Sequence, residues 1–150
     1  MDSHIRKSHN KTLLLYHLVF PAKYRKKIFD ERIDKKLKEV CIEISYRYEI
    51  NFIEIGNDID HVHFLIQSVP VLSISKIVTI IKSITAREIF KEFPKLKKEM
   101  WGSNLWTSGY YANTVGMYAS KETIIRYIQN QGKDKKEYKK LHQGQFDFDM

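Results

Sequence analysis

The chain has 150 residues, 43% hydrophobic and 29% charged. Those proportions suit one globular domain with a real core and exclude a disordered or fibrous chain. No stretch approaches the length of a membrane span, and the polar N-terminus with a short apolar run after it predicts no secretory leader. The expectation is a cytoplasmic protein with no membrane partner. A formal net charge of +8 points to a polyanionic partner, of which nucleic acid is the commonest. The one cysteine, Cys41, can form no intrachain disulfide, and it falls within an apolar helical pattern where packing is its simplest use.

Residues 1–10 are polar and are expected to be loosely held, with His4 and His9 solvated. Residues 12–20 form an apolar run closed by Pro21, too short for a typical helix, and predict a buried first strand. His17 within it has two readings, facing a site or simply packing, and packing is the commoner. Lys23, Arg25, Lys26 and Lys27 then crowd a short loop around Tyr24. A charge run is usually only a solvated surface, but mixed with an aromatic in a basic protein it is a candidate phosphate contact.

Residues 30–48 predict a helix. Asp30 can cap it, and Ile33, Leu37, Val40, Cys41 and Ile44 recur at helical spacing. Residues 50–55 predict a second strand, Gly56-Asn57-Asp58 a turn, and residues 60–67 a third strand paired antiparallel with the second. A second helix starts at Ser73 or Ser75 and runs to about Phe90, with Ile74, Ile77, Val78, Ile81 and Ile84 as its buried stripe. Lys82 and Arg87 on that helix remain for solvent or phosphate. Pro94 and the lysines up to Lys98 end it. Residues 105–115 predict a last strand in which Gly109 suggests a bulge or a close backbone approach. Ser120 can cap a final helix through Gln131, stopped by Gly132. Beyond lies a polar, charged tail.

The order strand, helix, strand, strand, helix, strand predicts an α+β, ferredoxin-like (βαββαβ) antiparallel sheet with two helices on one face and an extra C-terminal helix. A single domain spans 1–150, with loosely ordered ends at 1–10 and about 133–150.

The chemistry starts at His61-Val62-His63. On a strand, side chains alternate between faces, so Val62, Phe64 and Ile66 share a core face and His61, His63, Leu65 and Gln67 share the other. Two imidazoles one step apart on a face can reach one divalent ion. Taken alone, a His-x-His is more often a pair of solvent-facing histidines. Tyr127 and Gln131, four apart on the final helix, lie on one helical face. A tyrosine hydroxyl, with an ordinary pKa of about 10, attacks a phosphodiester only where the developing charge is stabilised. A glutamine carbonyl oxygen suits a hard cation. Set against this, most tyrosines on amphipathic helices pack their rings and wet their hydroxyls.

His61-Val62-His63, the Leu105-Trp106…Gly109-Tyr110-Tyr111…Thr114-Val115-Gly116 segment, and Tyr127-Ile128-Gln129-Asn130-Gln131 together resemble the single-tyrosine HUH transposases of insertion sequences. So do the opening Tyr16-His17-Leu18-Val19-Phe20 and the Lys23-Tyr24-Arg25 that follows. The resemblance covers residues 11–132. It implies His61, His63 and Gln131 as ligands of Mg²⁺ or Mn²⁺, and Tyr127 as the nucleophile that joins the 5′ phosphate of cut single-stranded DNA. It further implies hairpin ends as substrate, a homodimer, rejoining without ATP, and no small-molecule cofactor. Lys23, Arg25, Lys82 and Arg87 are the candidate DNA contacts. Asp60 falls opposite the histidines by strand parity and is not expected as a ligand.

Three other readings use part of the same features. A non-catalytic nucleic-acid module of this topology should carry stacking aromatics on its central strands in an Arg/Lys-Gly-aromatic pattern, which is absent. A structural zinc protein should show a cysteine pattern, also absent. A domesticated relative processing genomic repeats would use the same residues.

Overall fold

A computed structural model describes residues 4–102 and 104–116. The central layer is a four-stranded sheet of β3 (Leu14–Pro21), β4 (Asn51–Asp58), β5 (His61–Ser68) and β6 (Tyr111–Val115). Its spatial order is β4-β5-β3-β6, and every neighbouring pair is antiparallel. Helices α1 (Glu31–Arg47) and α2 (Ile74–Glu92) cross between strands and pack on one face. This is the expected ferredoxin-like α+β fold. The extra C-terminal helix expected through Gln131 lies outside the described residues.

The helices form where capping and apolar spacing agree. The Asp30 carboxylate accepts the Ile33 N–H at 3.0 Å and opens α1, and Ser73 does the same for Lys76 at 3.1 Å and opens α2. Ile33, Leu37, Val40, Cys41 and Ile44 of α1 and Ile77, Val78, Ile81 and Ile84 of α2 are buried. They meet Leu18, Phe20, Val62, Phe64 and Ile66 of the two central strands in one core. Cys41 is fully buried there, and burial first, then the nearby Asp34 charge, raises its thiol pKa far above the ordinary range.

Several boundaries differ from expectation. Residues 5–12 form a small hairpin, β1 (Ile5–Lys7) against β2 (Asn10–Thr12). α2 does end before Pro94, at Glu92, but Pro94 then occupies the first turn of a further short helix, α3 (Pro94–Glu99), where its missing N–H costs nothing. The last strand is shorter than 105–115: Trp106 makes only an isolated bridge to Ala22, and Gly109 precedes β6. Gly56-Asn57-Asp58 is strand, and the turn is Ile59-Asp60. A register shift between Phe52 and Glu54 lets Phe52 and Ile55 both face the helices, while Ile53 packs on the other face with Leu15, Leu65 and Val115. Among the described residues no helix is long and apolar enough to cross a membrane.

Candidate active site

The face of the sheet away from the helices carries the histidines. β5 alternates as expected: Val62, Phe64 and Ile66 are in the main core, and His61 and His63 point to the opposite side with ring centroids 4.9 Å apart. That side is not a wet surface. His63 is fully buried and the His61 side chain is 12% exposed. Truncating His63 therefore removes packing as well as a possible ligand, unlike the loss of a solvent-facing histidine.

Each histidine is held by a neighbour. The Asp60 carboxylate accepts the His61 Nδ1–H at 2.7 Å, and its other oxygen lies 3.3 Å from Arg25 Nε. Burial pushes the Asp60 carboxyl up, but the His61 hydrogen bond and the Arg25 charge outweigh it, and the net displacement is downward. Asp60 is thus a carboxylate that orients His61. Strand parity does not apply to it, because Asp60 sits in the turn before β5. With the proton on Nδ1, the lone pair of His61 is on Nε2, the arrangement of carboxylate–histidine–metal sites.

His63 Nδ1 lies 3.0 Å from His17 Nε2, with the two rings stacked at 5.2 Å. His17 comes from β3, one diagonal step away, since Val19 pairs with His63 and His17 with Leu65. Burial lowers the His17 pKa to about 4, against the upward pull of the neighbouring Asn113 side chain on β6. His17 is therefore neutral near pH 7 and has one donor and one acceptor nitrogen. If His17 donates Nδ1–H to Asn113, its Nε2 accepts from His63 Nδ1–H, and the His63 lone pair is on Nε2, as for His61.

This donor set fits a divalent ion that takes imidazole nitrogen. Two ring nitrogens share a face, and the outer ring nitrogen of each is already engaged by a neighbour. Among the described residues no cluster of three or more His, Cys, Asp or Glu forms a metal shell. The pair offers only part of one. Tyr127 and Gln131 lie outside the described residues.

The cationic candidates are spread over the fold. Lys23 and Arg25 belong to a tight turn of residues 23–25 just after β3, with Arg25 beside Asp60. Lys82 donates from Nζ to the carbonyls of Thr107 and Gly109, both at 2.8 Å, and burial lowers its pKa. It ties α2 to the segment leading into β6, a role the sequence did not suggest. Arg87, also on α2, pairs with Glu88 at 3.6 Å in the helix layer, across the sheet from the histidines.

His17 and Asp60 were the residues that motif reading undervalued. Parity along β3 carries the signal for His17: Leu18 and Phe20 take the core face, which sends His17 and Val19 to the face of the His pair. For Asp60 the signal is the length of β4, which moves the turn to Ile59-Asp60.

A ferredoxin-like domain with two neighbour-held histidines on the sheet face away from its helices defines the class to which the chain is compared. Residues 10–131 match the family model "Transposase IS200 like", and the chain belongs to that family. It is 32% identical over 118 residues to the ISDra2 transposase TnpA of Deinococcus radiodurans, covering 79% of this chain and 84% of that protein. It is 27% identical over 124 residues to the transposase for insertion sequence element IS200 of Salmonella typhimurium, covering 83% and 80%. A transposase candidate of Deinococcus radiodurans R1, solved by crystallography, superposes with a TM-score of 0.69 at 30% identity over 85% of this chain and 98% of that one. A REP-associated tyrosine transposase bound to a REP hairpin shares the fold, with a TM-score of 0.52 at 14% identity over 87% and 72%.

Proposed function

We propose that the chain is a DNA transposase that cleaves and rejoins single-stranded DNA at insertion-sequence ends through a 5′-phosphotyrosine intermediate. The observation that carries this reading is the His61–His63 pair, each ring oriented by a neighbour, in a member of the IS200-like family. His61, His63 and the side-chain oxygen of Gln131 would hold Mg²⁺ or Mn²⁺. When bound, such an ion supplies Lewis-acid stabilisation of charge on a phosphate. Tyr127 Oη forms a bond to phosphorus as the bond from phosphorus to the 3′ oxygen breaks. The phenolic proton leaves, the 3′ oxygen gains one, and the 5′ phosphate stays on the tyrosine. In the reverse direction a 3′ hydroxyl attacks the phosphotyrosine, so the bond energy is conserved and no ATP is needed.

Lys23 and Arg25, on the loop after β3, are the first phosphate contacts proposed; Lys82, already donating to the Thr107 and Gly109 carbonyls, and Arg87 could meet phosphate only along a strand that passes over the helix layer. The REP hairpin in the REP-associated relative makes a hairpin the substrate feature to test first. It also keeps processing of genomic repeats as the second reading. A homodimer is part of the proposal: the sheet ends at β6, whose outer edge has no further strand among the described residues.

The deciding experiment is denaturing electrophoresis of labelled single-stranded element ends incubated with protein and Mg²⁺ or Mn²⁺. Wild type is expected to retain the label carrying the 5′ phosphate as a covalent adduct, and Tyr127→Phe to lose the adduct while still binding the hairpin. Cleavage by wild type without an adduct would make the protein a hydrolytic nuclease.

A further inference from the structure

Two large aromatic rings stand in solvent side by side, one on the loop after β3 and one just after α3. Tyr24 is 53% and Trp101 71% exposed, and their ring centroids are 5.1 Å apart with the planes at 63°. The contrast is with the chain's other tryptophan. Trp106 is buried, packs edge-on to Phe20 and flat against Phe29, and donates its indole N–H to Thr85 at 2.9 Å. Packing accounts for Trp106 and does not account for Trp101.

Cations flank both exposed rings. Lys23 Nζ lies 5.3 Å from the Tyr24 ring centre, and Lys26 Nζ lies 4.5 Å from that of Trp101. Lys26 is fixed there by donating to the Glu99 carbonyl at 2.8 Å. The backbone is left-handed at Tyr24 (φ 61°), Arg25 (φ 52°) and Trp101 (φ 56°), a conformation bulky side chains seldom adopt. Backbone bonds from Lys23 N–H to the Leu105 carbonyl and from Trp101 N–H to the Lys98 carbonyl hold both loops in place. Exposed rings on held loops among cations are what single-strand binders use to stack bases and meet phosphates.

We propose that Tyr24 and Trp101 form a stacking shelf for an unpaired base of single-stranded DNA, with Lys23 and Lys26 meeting the phosphates on either side of that nucleotide. The assignment rests on the single-stranded-DNA reading above and extends it to a base-binding site. The shelf is joined to the site through Arg25, whose Nε is 3.3 Å from Asp60, the residue that orients His61. Stacking reads a ring face and not its edge, so the shelf holds whichever base is unpaired there.

The test compares an oligothymidylate with an abasic strand of equal length and charge, using the full-length protein. Because Trp106 is buried, emission quenching on binding reports Trp101. Wild type should be quenched by the oligothymidylate and not by the abasic strand, and should bind the abasic strand about 5- to 150-fold more weakly by anisotropy. Tyr24→Ala/Trp101→Ala should bind both strands alike, while Trp101→Phe, which keeps a stacking face, should restore the preference. Binding of the oligothymidylate by wild type without quenching or preference would overturn the shelf and leave the broader reading intact. A double variant that keeps the preference would do the same. So would one that loses dimer in sedimentation, since the rings would then be a subunit contact. No binding of either strand by wild type would overturn both proposals.

Discussion

At the residue scale, the 3.0 Å contact between His17 Nε2 and His63 Nδ1 couples the tautomers of the two rings. A neutral imidazole has one lone pair, and a neighbour that accepts from Nδ1 sends that lone pair to Nε2. His17→Leu is expected to weaken Mn²⁺ binding about 10- to 100-fold, the usual effect of removing an outer partner of a metal-bound histidine. His17→Gln, whose carbonyl oxygen can still accept from His63, should keep most of the affinity. Calorimetric titration of Mn²⁺, with thermal melts of the metal-free variants as a control for folding, separates the two roles. Equal Mn²⁺ affinity in His17→Leu and wild type would leave His17 as packing alone. The motif His61-Val62-His63 was legible because its chemistry is contiguous in sequence. His17 was not, because its role depends on a diagonal contact between strands whose residues are 46 positions apart.

At the element scale, α2 does more than cover the sheet. Lys82 reaches from its surface to two carbonyls of the segment before β6, under Tyr110, whose ring centre is 5.5 Å from Nζ. Lys82→Met leaves the Thr107 and Gly109 carbonyls without that donor. The expected destabilisation is on the order of 1–3 kcal/mol, with faster amide exchange confined to the residues before β6. Denaturant titration and hydrogen exchange read the two effects, and unchanged exchange there would show that the segment is held by other contacts. The elements themselves were largely legible. Asp30 and Ser73 mark both helix starts, and apolar spacing marks both buried stripes. β4 was the exception. Its apolar residues Phe52, Ile53 and Ile55 fit no strict alternation, because a bulge adds a residue that local patterning cannot register. The bulge and the Ile59-Asp60 turn together set where β5 begins, and with it the position of the carboxylate behind His61.

At the scale of the whole molecule, the salt response of binding counts the phosphates that the +8 chain contacts, not its net charge. Each phosphate contact on a single strand contributes about −0.7 to the slope of log K against log salt. Lys23→Ala/Arg25→Ala is expected to reduce the magnitude of that slope by about 1.4, measured by anisotropy across a salt series. A larger change from Arg87→Ala alone would place the strand over the helix layer, away from the histidines. The burial of Cys41 has a separate, practical consequence. Its thiol is fully enclosed and its ionisation suppressed, so the native chain presents no reactive sulfur of its own among the described residues. A cysteine introduced at any exposed position would be the sole target for a maleimide dye or a spin label. The natural sequence is thus already a background for distance measurements by site-specific labelling, with no native thiol to remove.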